Sequence, residues 1–190
     1  MYEARLCLEY VHKYWVCTVD DPSLVRYCQG MNIQGITPIL NVSDVPRSLH
    51  WFEALGWTRC WTYNDGGFMG SGPQAPESNQ HGPAGFAAGG SGKVEIFLCR
   101  EAQGGRGRLM TPEEIASGSD ATPLGGGGAG VWMSWWVESP AHVDQAHALA
   151  VKHAVQVAQP PTDEPWGVRE CRIVHPDGHV FRVSAGLRAS

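Results

Sequence analysis

Several signals are missing from this 190-residue sequence, and each absence excludes something. No stretch approaches the roughly 18–20 consecutive apolar residues that a membrane span needs. No Cys-x-x-Cys pair occurs among the six cysteines, Cys7, Cys17, Cys28, Cys60, Cys99 and Cys171, so neither a zinc knuckle nor a dithiol redox motif is indicated. Charged residues are sparse at 17%, and the formal net charge of -5 gives no electrostatic footprint for nucleic acid or an anionic membrane. The N-terminus does not read as a signal peptide, because Glu3, Arg5, Glu9, His12 and Lys13 interrupt any apolar run. The scattered cysteines fit reduced, buried thiols in a cytoplasmic protein better than a disulfide framework. What is present is apolar material, 43% of residues, with eight tryptophans, a residue that lines aromatic-binding pockets as well as cores.

Residues 1–34 fit poorly with the rest of the chain. Their apolar positions spread widely around a helical wheel, so the segment reads as an appended extension, helical or poorly ordered. Met31 is an alternative initiation point. From Ile36 the pattern sharpens: a β-prone run to Val42, an N-cap at Ser43–Asp44, helical spacing of Val45, Leu49, Phe52 and Leu55, and a stop at Gly56. Trp57 to Tyr63 reads as a strand broken by Asn64-Asp65-Gly66-Gly67. Residues 64–92 read as loop with a weak strand near Gly85–Ala88, and Lys93 to Arg100 as a firm strand. A capping box at Thr111-Pro112-Glu113-Glu114 predicts a short helix, and Gly125–Gly128 a flexible connector.

The first pattern then recurs. Val131 to Glu138 reads as a strand, and Ser139-Pro140 starts a helix running to about His153. A strand at Val155–Ala158 is followed by a loop through Gly167. Val168 to Val174 and His179 to Ser184 are strands joined by the turn His175-Pro176-Asp177-Gly178. Strand–helix–strands thus occurs twice, with the first strands superposing at an offset of 95 and the last at 87. The domain plan is an extension at 1–34, a first βαβββ module at 35–101, a short helix and linker at 102–130, a second module at 131–186 and a tail at 187–190.

Alternation separates the strand faces. Pro38, Leu40 and Val42, with Val94, Ile96 and Leu98, Met133, Trp135 and Val137, and Phe181 and Val183, form apolar sets suited to packing beneath the helices. The opposite sets mix types: Thr37, Ile39 and Asn41; Glu95, Phe97 and Cys99; Trp132, Ser134, Trp136 and Glu138; Val180, Arg182 and Ser184. A solvent face would not need three large aromatics, and an ordinary core would not hold unpaired charge. A concave, partly enclosed surface accounts for both and predicts a ligand pocket.

Three stretches, ITPILNVSDVPRSLHWFEALGW, VEIFLC and PWGVRECRIVHPDGHVFRV, resemble the vicinal oxygen chelate superfamily, the glyoxalase and bleomycin-resistance proteins. The resemblance covers about residues 35–186, and its most specific part is Pro165-Trp166-Gly167 followed by Pro176-Asp177-Gly178-His179. It implies an α+β fold of two βαβββ modules forming an eight-stranded, incompletely closed barrel with helices outside, often in a homodimer. The metal-ligand positions of the family fall on Thr37, Glu95, Trp132 and Arg182, of which only Glu95 is a competent ligand. The expectation is therefore no metal and no other cofactor, with Glu95 and Arg182 forming an ion pair where the cation would sit. The ligand-binding set is Thr37, Asn41, Glu95, Phe97, Trp132, Ser134, Trp136, Trp166 and Arg182. The expected function is binding of a small aromatic or heteroaromatic compound, as in antibiotic sequestration, with no nucleic-acid or membrane partner. The alternative is a metal-dependent lyase, isomerase or dioxygenase of the same superfamily, with a divalent metal and Glu95 as a candidate catalytic base.

Overall fold

The computed structural model describes residues 10, 11, 14, 15, 35–109, 111, 113 and 130–187. The chain divides into two compact units, Met1–Ile36 together with Ser190, and Thr37–Ala189. In the first, β1 (Tyr10–Val11) and β2 (Tyr14–Trp15) pair antiparallel, with Tyr10 beside Trp15 and Val11 beside Tyr14. These four residues pair as a ladder, and the rest of the segment expected to be helical or poorly ordered lies outside the described residues. The helix expected at Thr111–Glu114 and the linker at Gly125–Gly128 lie outside the described residues, apart from Thr111 and Glu113.

The second unit begins with β3 (Ile39–Val42), a short apolar strand with Leu40 and Val42 fully buried. The helix Val45–Ala54 follows because Asp44 caps it, its carboxylate accepting from the Arg47 N–H at 2.9 Å, and because Pro46 sits in the first turn where no N–H is needed. Gly56, with φ +86°, takes the left-handed conformation that ends it. Next come β4 (Thr58–Asn64), β5 (Gly67–Ser71), the two-residue β6 (Ser78–Asn79) and β7 (Gly82–Pro83), then β8 (Phe86–Ser91) and β9 (Val94–Arg100). The order across the sheet is β3-β9-β8-β4-β5, with β3 parallel to β9 and the other pairs antiparallel.

Past the linker lie β10 (Trp132–Trp136), the helix Pro140–Lys152, β11 (Gln156–Glu164), β12 (Val168–Val174) and β13 (Val180–Gly186). Their order is β10-β13-β12-β11, with β10 parallel to β13. Both sheets thus run first, last, third, second strand, so the repeat is one of topology. β5 is an addition at the edge of the first. Several stretches expected to be loop are strand: β5, the two-residue β6 and β7, and the far half of β11. β5 contains Gly67 and Gly70, which have little strand preference of their own, and is held by its ladder to β4. β11 continues through Pro160 and Pro161 to Glu164, which an edge strand allows because a proline there need not donate to a neighbour; its register slips twice along the way. The two sheets share no ladder, so the barrel is not closed.

The apolar faces pack beneath the helices except at Val94, which is exposed at the start of β9. Leu40, Val42, Leu49, Phe52, Ile96 and Leu98 of the first module share one buried cluster with Val143, Ala150, Ile173, Phe181 and Val183 of the second. Trp51, from the first helix, bridges them: its ring lies 5.2 Å from Phe181, 6.3 Å from Trp135 and 4.9 Å from His175. The turn before β13 adds a polar tie, since Asp177 Oδ2 accepts the Ser43 N–H at 2.9 Å. Gly178, at φ +74°, meets the backbone of Gly107 and Arg108 so closely that any Cβ would clash.

Candidate functional site

On the second sheet the mixed face is built by register. Gln159, Arg172, Arg182 and Ser134 stand level across β11, β12, β13 and β10. One step along, Thr162, Glu170, Ser184 and Trp136 form the next level. Glu170 is fully buried and is the hub. It accepts from Arg172 Nε at 3.1 Å, from Arg182 Nη2, and from Ser184 Oγ at 3.2 Å. Burial alone would raise its pKa, but the hydrogen bonds and charges of Arg182 and Arg172 outweigh that and hold it below the ordinary carboxylate value. Trp132 lies over both guanidinium groups, 5.2 Å from Arg182 and 5.9 Å from Arg172.

The expected Glu95–Arg182 pair is therefore not formed. Arg182 is given to Glu170, and Glu95 is exposed beside Cys60, whose thiol pKa is raised by burial and then by the Glu95 charge. The reason is register. Ile39 lies beside Phe97 and Ser134 beside Arg182. Continuing the first ladder by two residues sets Glu95 level with Thr37, whereas Arg182 is two residues beyond the level of Trp132. The two copies are thus out of step by one inward-facing position.

On the first sheet Phe97 packs with Trp61 and Phe86 in a three-ring cluster, with centroids 5.0–5.4 Å apart and edge-on geometry. Next to it Trp61, Tyr63, Phe68 and Phe86 line an open cleft of about 450 Å³. Tyr63 and Phe68 are exposed despite their size. Of the other expected site residues, Thr37 is exposed ahead of β3, and Trp166 is exposed in the turn between β11 and β12. Ser134 and Trp136 are exposed on β10. Asn41 is committed to structure, its Nδ2 donating to the Gly104 carbonyl at 2.7 Å while its Oδ1 is buried without a partner.

Sequence reasoning misses Glu170, Arg172, Trp61, Tyr63, Phe68 and Phe86. The signal for the first two is the alternation of Val168, Glu170, Arg172 and Val174 on a middle strand, whereas the face assignment rests on the first and last strands of each module. For Trp61 and Tyr63 it is the same alternation within β4.

The positions where this fold family implies a divalent cation do not suit one. Arg182 is cationic and neutralised by Glu170, Trp132 cannot ligate, and Thr37 is a poor donor. Among the described residues no group of three or more His, Cys, Asp or Glu side chains gathers to hold a metal. The described helices include none long and apolar enough to cross a membrane.

Two sheets of this order, each carrying a helix on its apolar face, define a paired-βαβββ protein with an open inner surface. Residues 33–183 match the Glyoxalase/Bleomycin resistance protein/Dioxygenase superfamily, and the chain belongs to it. Among solved structures it is similar to a glyoxalase/bleomycin resistance protein/dioxygenase from Nocardioides, at 18% identity over 88% of this chain and 93% of that one, with a TM-score of 0.52. TioX from Micromonospora sp. ML1 is similar at 17% identity over 83% and 99%, with a TM-score of 0.50. A glyoxalase-related enzyme from Clostridium phytofermentans is similar at 17% identity over 83% and 98%, also with a TM-score of 0.50. No curated protein sequence matches the chain.

Proposed function

We propose that this protein binds a small aromatic or heteroaromatic compound without a metal and without converting it, in the manner of antibiotic sequestration. The observation that carries the reading is the aromatic cleft of Trp61, Tyr63, Phe68 and Phe86, beside the packed ring of Phe97. Such walls stack a flat ligand by area and quadrupole, and the one ionisable group among the four lining side chains is the Tyr63 phenol. Glu95, the candidate base, lies beside the Cys60 thiol, whose pKa burial and then the Glu95 charge raise, so the pair does not supply a thiolate nucleophile at neutral pH. The reading includes a cytoplasmic location, in keeping with the free thiols of Cys60, Cys99 and Cys171. It also includes a homodimer, in which a second copy covers exposed Ile39 and Trp136.

Tryptophan fluorescence titrated with a panel of flat aromatic antibiotics tests the reading. Saturable quenching at one ligand per chain is expected, and no quenching by any of them at micromolar concentration would overturn it. Metal analysis of the purified protein provides the second arm, since stoichiometric zinc, nickel, iron or manganese would instead favour the enzymes of the superfamily.

A further inference from the structure

We infer that the second sheet carries an oxyanion site, formed by Arg172 and Arg182 under Trp132, that recognises a carboxylate or phosphate group on the bound compound. The inference goes beyond the aromatic-cleft reading: it concerns the other sheet, where Trp132 rather than the cleft supplies the stacking ring.

The two arginines stand directly opposite one another on neighbouring strands. Like charges in that position repel and weaken a sheet, so their juxtaposition needs a compensating partner. Glu170 supplies only part of it. Each guanidinium has five N–H donors, and Glu170 takes one hydrogen bond from each. Arg182 Nε is buried with no partner, and both terminal nitrogens of Arg172 make no hydrogen bond among the described residues.

The level of the sheet on which the two arginines lie contains no acid. Its other members are Gln159 and Ser134, both able to donate. The level beyond it, Gln156, Val174, Val180 and Trp132, is uncharged as well. Glu164 is the other carboxylate that acts on Arg182, but its hydrogen bond comes from Gln159 at 2.7 Å on the edge strand. The arginine side chains retain only 15% and 25% of their exposure, and Trp132 covers them from one side. Partial desolvation strengthens a charge-assisted, two-pronged contact, which the planar guanidinium makes with carboxylate or phosphate oxygens. The half-exposed Trp132 ring is placed to stack on whatever ring bears that group.

Titration calorimetry with benzoate, phenyl phosphate and neutral benzamide, at low and high salt, tests this on the full-length protein. Benzoate or phenyl phosphate should bind about tenfold more tightly than benzamide, and the margin should shrink at high salt. The tighter of the two names the source of the oxyanion. Arg172→Gln should remove the margin, Arg172→Lys should keep part of it, and Lys93→Gln on the other sheet should leave it intact. A thermal melt of each variant establishes that it is folded. If Arg172→Gln does not fold, Arg172→Lys decides, because it keeps the charge and loses the fork. Equal binding of all three compounds would overturn the inference while leaving aromatic binding standing. A margin that survives in folded Arg172→Gln or Arg172→Lys at full size would overturn it too. Failure of both oxyanions to bind would also sink it, and the antibiotic panel would then judge the aromatic reading separately.

Discussion

His179, in the turn before β13, donates from Nε2 to the backbone carbonyl of Asn41 at the end of β3, 2.8 Å away. The tautomer follows from the other side of the ring, where Nδ1 accepts the Val131 N–H at 3.0 Å. One neutral imidazole therefore joins the first strand of the first module to the entry of the second. Replacing His179 with leucine strands a half-buried acceptor and donor, and should cost about 1–3 kcal/mol in denaturant unfolding. A loss within error of zero would mean that the contact is not maintained in solution.

The same turn makes stability depend on pH. Burial holds His175 down to about 3, and burial also holds His179 below its ordinary value. The unfolded chain protonates both near pH 6.5, while the folded chain does not, so the unfolded state binds more protons below that point. Their contribution is complete above about pH 6.5 and drains away as pH falls toward about 3. The melting temperature should drop across that window. In His175→Asn, which keeps an acceptor for the Asp177 N–H, the drop should be shallower. An unchanged slope would show that His175 is not held neutral.

Trp51 links the modules through its ring contacts with Trp135, His175 and Phe181, and it packs on Phe52 of its own helix. Trp51→Ala should cost about 3–5 kcal/mol. Because both modules share that cluster, the loss should appear as one lowered transition by circular dichroism. Two separated transitions would show that the modules fold independently.

How much of this is readable from the sequence depends on whether the cause is local. The Asp44 cap, the Gly56 stop and the alternation of Leu40 with Val42 or Ile96 with Leu98 act within a few residues, and all are legible. β5 is not, because its glycines carry no strand preference and only the neighbouring β4 holds them extended. Pro160 and Pro161 read as loop until the edge position of β11 is known. The partner of Arg182 is hidden for a similar reason. Aligning the copies by pattern puts Glu95 across from it, but pairing is set by ladder register, and a shift of two residues delivers Glu170 instead.

Glu170 should govern the acid limb of stability on the second sheet. Against the effect of burial, Arg182 and Arg172 hold its folded pKa below the ordinary value. A depressed carboxylate contributes fully above about pH 4.5, and that contribution is lost as pH falls through the lowered folded value. Glu170→Gln should lose about 3 kcal/mol at neutral pH, since two arginines are left without their counter-charge. It should also show less further loss as pH falls below about 4.5 than the parent protein. Parallel curves for the two proteins would show that the carboxylate is not the partner of these arginines.

Phe68 separates ligand binding from folding. The residue is 64% exposed, yet it forms one wall of the aromatic cleft with Trp61, Tyr63 and Phe86. Trp61 is a poorer probe because it packs on Phe86 and Phe97, so its removal would disturb the sheet as well as the ligand. Exposed aromatic rings contribute little to stability, and Phe68→Ala should shift unfolding by no more than about 0.5 kcal/mol. Loss of one stacking wall is worth about 0.5–1.5 kcal/mol in affinity, so an aromatic ligand should bind roughly two- to tenfold more weakly. Calorimetric titration beside a thermal melt reads both quantities on one preparation. Unchanged affinity in Phe68→Ala would move the aromatic ligand out of this cleft.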